Sequence, residues 1–190
     1  MFFKIFQTVC DLFIVLIISP IWLTAMLVIS TIVFFIDGLP VFFLQERVGL
    51  NMRIFKIYKF RTMSVNMLPN ELDRITKVGA FLRRASLDEL PQIINIIRRD
   101  MSLVGPRPIP KSIADLHDPL IIQQRSQVLP GLSGYAQIKY AGKPRKLHEK
   151  FELDIKYINK LSSLLYLKIL FLTIKVIIVR YQHNRNGGSL

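Results

Sequence analysis

The sequence predicts a mainly helical α+β fold tethered to a membrane, on three observations. A charge-free apolar run fills residues 12–36. Two short segments, "VFFLQ" and "RIFKIYKF", flank the turn-forming "ERVGLN". Beyond them, apolar residues recur at helical spacing almost to the C-terminus.

The apolar run, "LFIVLIISPIWLTAMLVISTIVFFI", is 25 residues long. As a straight helix it would measure about 37 Å at a rise of about 1.5 Å per residue. A bilayer core of about 30 Å needs roughly 20 such residues. The run is too long for a secretory signal and no small-residue cleavage site follows it, so it reads as a retained anchor. Ser19-Pro20 falls near its centre. Proline removes one backbone hydrogen bond there, so a kink is expected, and Ser19 is placed to partner a freed group. A kinked spanning helix and a hairpin that enters and leaves on one side both fit. Lys4 precedes the run, while Arg47, Arg53, Lys56, Lys59 and Arg61 follow it, which puts the body of the chain in the cytoplasm. The boundary lies at residue 37: a membrane-embedded segment over 1–37 and a cytoplasmic domain over 38–190.

After the turn "DGLP", the two short segments predict a β-hairpin, with Gly49 and Asn51 in its turn. Lys59 and Arg61 are two apart and would share one face of the second strand. Residues 62–76 read as loop, Lys77–Arg84 and Leu87–Arg99 as helices, and "DMSLVGPRPIP" as an ordered loop held by three prolines. Residues 111–128 are again helical, and "LPGLSGYAQI" is loop or short strand. From Phe151 to Tyr181, apolar runs are broken by Lys156, Lys160, Lys168, Lys175 and Arg180. A second spanning helix would bury Lys168 and Lys175 at about 2.5–3.5 kcal/mol each. Amphipathic helices lying in the interface leave them at the headgroups.

Composition narrows the partners. Lys and Arg outnumber Asp and Glu 26 to 13, a net charge of +13 in 190 residues, which favours anionic ligands or an anionic surface. The single cysteine, Cys10, excludes an internal disulfide framework. His117, His148 and His183 are scattered and make no zinc pattern. Nucleic acid is not the expected partner. No helix-turn-helix, zinc finger or RNP-type motif occurs, and several phenylalanines lie in the apolar run. The same basic excess suits a cytoplasmic protein resting on anionic lipid.

The acids Asp88 and Glu89 in "SLDELPQ" (86–92) carry two readings. In one, Ser86 and Glu89 form an S-x-x-E capping box and the acids sit in the first turn of a helix. In the other, adjacent carboxylates divide the work of phosphoryl transfer, one as nucleophile and one as metal ligand, while cations offset phosphate charge. Lys59, Arg61, Arg83 and Arg107 are the cations available for that task.

These residues resemble the bacterial sugar transferases, the small monotopic phosphoglycosyl transferases. The resemblance runs through "SP" in the apolar run, "VFFLQERVG", "FKIYKFRTM", "LRRASLDELPQIINIIRRDMSLVGPRP", "PGLSGYAQI" and "KFELDIKYI". It implies transfer of a sugar-1-phosphate from a UDP-sugar to undecaprenyl phosphate with Mg²⁺, releasing UMP, as the first membrane step of a bacterial surface glycan or glycoprotein. It implies Asp88 as covalent nucleophile, Glu89 as metal ligand, and Arg107 at the nucleotide. Lys59 and Arg83, with Arg61 and Gln137, would hold substrate. It also selects the one-sided topology, a re-entrant helix broken at Ser19 and Pro20, in the inner membrane with the catalytic domain on the cytoplasmic face. Membrane lipids are expected partners, and a homo-oligomer is compatible but not specified. The chain departs from the family pattern at Gln7-Thr8, which weakens the expected headgroup anchoring at the N-terminus, and at Leu129 and "KYAGK" (139–143), which leave the sugar open.

Overall fold

The computed structural model describes residues 2–65, 72–140 and 146–185. Part of "KYAGK" and part of the 62–76 loop lie outside them. The order is α1 (Phe2–Asp37), β1 (Phe42–Val48), β2 (Ile54–Phe60), α2 (Lys77–Arg84), α3 (Gln92–Ile97), β3 (Ser102–Val104), α4 (Lys111–Ala114), α5 (Pro119–Arg125), β4 (Gly131–Ser133), α6 (Tyr135–Tyr140), α7 (Leu147–Asn159) and α8 (Ser163–Arg185). The mainly helical α+β expectation holds. β1 and β2 form the expected antiparallel hairpin, with Gln45 opposite Ile57, and β3 and β4 pair in parallel.

At Ser19-Pro20 the expected break does not open into a loop: α1 is one helix with Pro20 inside it. The carbonyl that Pro20 leaves without an N–H is that of Leu16, four residues earlier. Ser19 Oγ donates to it at 2.8 Å, so the lesion is repaired locally. Gln7, Asp11, Val15, Ile29 and Val33 are buried along one stripe of the helix. The remaining faces expose Phe13, Leu16, Ile17, Ile21, Leu27 and Phe35, far more contiguous apolar surface than a soluble domain carries. Length and composition suit a membrane helix.

Both ends of α1 are tied to the same body. Near the start, Asp11 meets Arg99, Ser102 and Tyr166. At the end, Asp37 Oδ2 accepts from Thr76 Oγ1 at 2.8 Å. Between them, Trp22 Nε1 donates to Leu90 O at 3.1 Å. The core forms on this scaffold. Val15, Ile57, Ile93, Ile96, Met101, Tyr157, Tyr166 and Ile169 make one cluster, and Ile29, Val33, Phe60 and Leu82 a second under the far half of α1.

α8 buries Tyr166 and Ile169 and exposes Leu164, Leu167, Phe171 and Ile174. Lys168 and Lys175 are exposed on the same helix.

Candidate active site

The acid pair sits on a turn whose shape follows from its sequence. An α-helical bond from residue 91 to Leu87 O is impossible because residue 91 is proline. Leu90 N–H takes Leu87 O instead, at 3.1 Å, and Leu87–Glu89 winds as a 3₁₀ turn. The capping box expected at Ser86 does not form. Ser86 lies in the left-handed region at φ 56° and its side chain does not cap the turn. α3 starts later, at Gln92. Glu89, the other half of the box, is drawn away by two cations.

Lys59 Nζ lies 2.9 Å from Glu89 Oε1 and 3.9 Å from Asp88 Oδ2. Arg107 grips the same Glu89 carboxylate with both terminal nitrogens, Nη1 at 3.4 Å from Oε2 and Nη2 on Oε1. Arg83 adds its positive field at Asp88. Three distant segments therefore converge: the end of β2, the acid turn, and the loop 105–110 after β3.

Packing holds each in place. Asn95, fully buried on α3, accepts from Tyr58 N–H at 3.1 Å and donates to Lys56 O at 2.8 Å, fixing the acid turn against the strand that carries Lys59. Arg83 is aimed by Thr62 Oγ1, which accepts from its Nε at 2.8 Å. α2 reaches that position because Gly79 lets the backbones touch: a Cβ there would lie 2.1 Å from Thr62 O. Trp22 joins the acid turn directly to α1.

The two carboxyls differ. Burial pushes Asp88 above the ordinary aspartate value, with Lys59 opposing. Burial also pushes Glu89 upward, but Arg107 and Lys59 outweigh it and hold the carboxyl at about 2. One acid is clamped as an anion between two cations. The other is half-desolvated with a longer ion contact, the pattern of paired acids with separate roles. Arg47 is close enough that burial, then the charge of Arg107, lowers it to about 10.

Two further expected site residues, Arg61 and Gln137, bond to backbone carbonyls. Arg61 follows the last residue of β2, and its backbone N–H still donates to Val41 O at 2.9 Å. It is buried and donates to Leu39 O at 3.0 Å, to Gly38 O at 2.8 Å and to Asp37 O, sealing the C-terminal end of α1. Gln137 lies on α6, where its Nε2 donates to Leu132 O at 3.3 Å. Sequence reading missed Arg47, Asn95, Arg125 and Asp154, all of which act on backbone or on partners distant in the chain.

Among the described residues, no group of three or more His, Cys, Asp or Glu side chains forms a metal site. Mg²⁺ is commonly held by one or two carboxylates together with substrate phosphates, and the Asp88–Glu89 turn fits that incomplete set. Beside the turn, a shallow and open apolar groove runs along α1, lined by Pro20, Ile21, Thr24, Val28 and Leu87.

The family model described as "Bacterial sugar transferase" matches residues 2–180. A protein of Bacillus subtilis (strain 168) named "Uncharacterized sugar transferase EpsL" is 43% identical over 148 residues, 75% of this chain and 72% of its own length. The UDP-glucose:undecaprenyl-phosphate glucose-1-phosphate transferase of Escherichia coli (strain K12) is 40% identical over 148 residues, 71% of this chain and 32% of its own. The UDP-N-acetylgalactosamine-undecaprenyl-phosphate N-acetylgalactosaminephosphotransferase of Aeromonas hydrophila is 40% identical over 153 residues, 75% of this chain and 36% of its own. The chain thus spans about a third of the length of these two relatives named for a reaction. With an acid turn clamped by Lys59 and Arg107 beside a long apolar helix, this chain belongs to the bacterial sugar transferase family.

Proposed function

We propose that this protein transfers a sugar-1-phosphate from a UDP-sugar to undecaprenyl phosphate and releases UMP, through a covalent intermediate on Asp88. The observation that carries the reading is the acid turn: an under-compensated Asp88 beside a fully clamped Glu89, with Lys59, Arg83 and Arg107 around them. Phosphoryl transfer needs positioning and charge neutralisation more than covalent ingenuity, and three cations around the carboxylate pair supply both.

In the first step an Asp88 Oδ attacks the phosphorus that carries the sugar. The bond from that phosphorus to the UMP oxygen breaks, and UMP leaves with the electron pair. In the second, a phosphate oxygen of the lipid attacks the same phosphorus and the acyl-phosphate bond breaks, restoring Asp88. The arriving diphosphate would compete with Glu89 for Lys59 and Arg107, releasing Glu89 oxygens toward a cation. Mg²⁺ held by Glu89 and the substrate phosphates would withdraw charge from the phosphorus and the leaving group.

The same reading sets the topology. α1 dips into one leaflet and returns, with the body on the cytoplasmic face of the bacterial inner membrane. Asp11 and Asp37, at the two ends of the apolar stretch, both bond to one body, which supports a helix that enters and leaves on one side. The groove beside Leu87 offers the lipid tail an apolar path to the acid turn, and α8 would lie in the headgroup plane. A reporter fused to the N-terminus is therefore expected to resist periplasmic labelling in intact cells. Labelling there would establish a spanning helix and end the one-sided model.

The test of function is UMP release by the purified protein across a panel of UDP-sugars, with undecaprenyl phosphate and Mg²⁺. One sugar, or a few, should give UMP that depends on both additions. Lipid binding with no UMP from any UDP-sugar would instead mark a non-catalytic lipid scaffold.

A further inference from the structure

The loop 105–110 reads "GPRPIP". Its three prolines carry no N–H, so its carbonyls need donors from outside. Four in a row find them. Gly131 N–H of β4 holds Pro106 O at 2.9 Å. Arg125 Nη2 of α5 holds Arg107 O at 2.9 Å. Arg47 Nη1 and Val48 N–H of β1 hold Pro108 O at 2.9 Å and Ile109 O at 3.1 Å.

Arg125 stands out among these donors because it is buried with its own counter-ion. Asp154 Oδ2 on α7 accepts from its Nε at 3.0 Å and its Nη2 at 2.8 Å. The two side chains are only 6% and 5% exposed. The guanidinium also lies 4.2 Å over the Phe151 ring. A pair this deep is poor evidence for a gain in stability, since desolvation offsets most of the attraction. Its geometric effect is definite. A planar group fixed by an acid and a ring presents one N–H to the carbonyl of the very residue whose side chain grips Glu89. Lysine, with a single nitrogen and no plane, cannot reproduce that fork.

We infer that Arg125 and Asp154 are positioning residues for the transfer reaction: they fix the backbone at Arg107 and thereby aim its guanidinium at the acid turn and the incoming phosphate. This rests on the reading of Arg107 as a substrate-binding cation.

A double-mutant cycle tests it in the full chain, using UDP-glucose or whichever member of the panel releases most UMP. Arg107→Ala is expected to lower kcat/KM about 100-fold. Arg125→Lys, by misplacing an intact Arg107, is expected to lower it about 10- to 100-fold. Combined, they should be no worse than Arg107→Ala alone, because Arg125 acts through Arg107. Losses that multiply would overturn the positioning role and leave the Arg107 reading standing. An unimpaired Arg107→Ala would overturn that reading and this inference with it. As a check on folding, the paired swap Arg125→Met with Asp154→Leu replaces the ion pair by apolar volume. It should keep the thermal midpoint while losing activity as Arg125→Lys does; full activity in a folded paired variant would also overturn the inference. If that variant does not fold, the cycle decides.

Discussion

Asp88→Asn is expected to abolish UMP release, by more than about 10⁴-fold, and to leave no sugar-phosphate adduct on the protein. The substitution changes one atom and almost no volume. Its chemical consequence is large, because an amide oxygen does not displace UMP from phosphorus. Its structural consequence is small or favourable. Asp88 makes a 3.9 Å contact with Lys59, and burial already works against its charge. A neutral side chain relieves that opposition, so the thermal midpoint should hold or rise while activity vanishes. Loss of activity together with loss of fold is the signature of a structural residue, not a nucleophile. Mass spectrometry of protein quenched during turnover checks the adduct directly. Near-normal UMP release from Asp88→Asn, or an adduct surviving in it, would remove Asp88 from the nucleophile's place.

How much of this was legible in the sequence depends on the range of the interaction. The β1–β2 hairpin and α2 are local patterns, and both stand where the alternation and the helical spacing put them. Asp88, Glu89, Lys59, Arg83 and Arg107 were readable as one group through the family resemblance, and the fold brings them together. For Arg61 the strand pattern gave its place next to Lys59 in the chain but not its partners: its guanidinium is held by the carbonyls at Asp37, Gly38 and Leu39. The capping box failed for a different reason. S-x-x-E describes a local competition, and here Lys59 and Arg107, respectively 30 and 18 residues away, win the Glu89 carboxylate. The Arg125–Asp154 pair left no local trace, since neither residue completes a motif with its neighbours. Only the run of prolines in "GPRPIP" announces that outside donors must exist, without saying which.

The largest expected effect on stability lies at Asp11. Its carboxylate is fully buried inside the first half of α1. It accepts from Ser102 Oγ at 3.0 Å, Leu103 N–H at 2.9 Å, Tyr166 Oη at 2.6 Å and Arg99 Nη1 at 2.9 Å. Those donors come from β3, from α8 and from the end of α3, so one side chain joins the apolar helix to three parts of the body. Gln7, one turn earlier, repeats the connection by donating to Ser102 Oγ and Val104 O. Asp11→Ala leaves all four donors facing a cavity, one of them a guanidinium, and is expected to destabilise by about 3–5 kcal/mol. For a chain of this size that lowers the thermal midpoint by roughly 10 °C or more, measured on protein in detergent or nanodiscs. Asp11→Asn keeps the shape but presents an amide N–H where every neighbour is already a donor. It should fall between wild type and Asp11→Ala. The order of the two variants separates the charge from the rest: if Asn matches wild type, shape and the Oδ1 acceptor, which takes three of the four bonds, hold the junction without the charge. Because β3 leads straight into the loop that carries Arg107, a loosened Asp11 junction should also lower turnover in whatever protein remains folded. The membrane helix would then be part of the frame that aligns the acid turn with its cations, as well as an anchor.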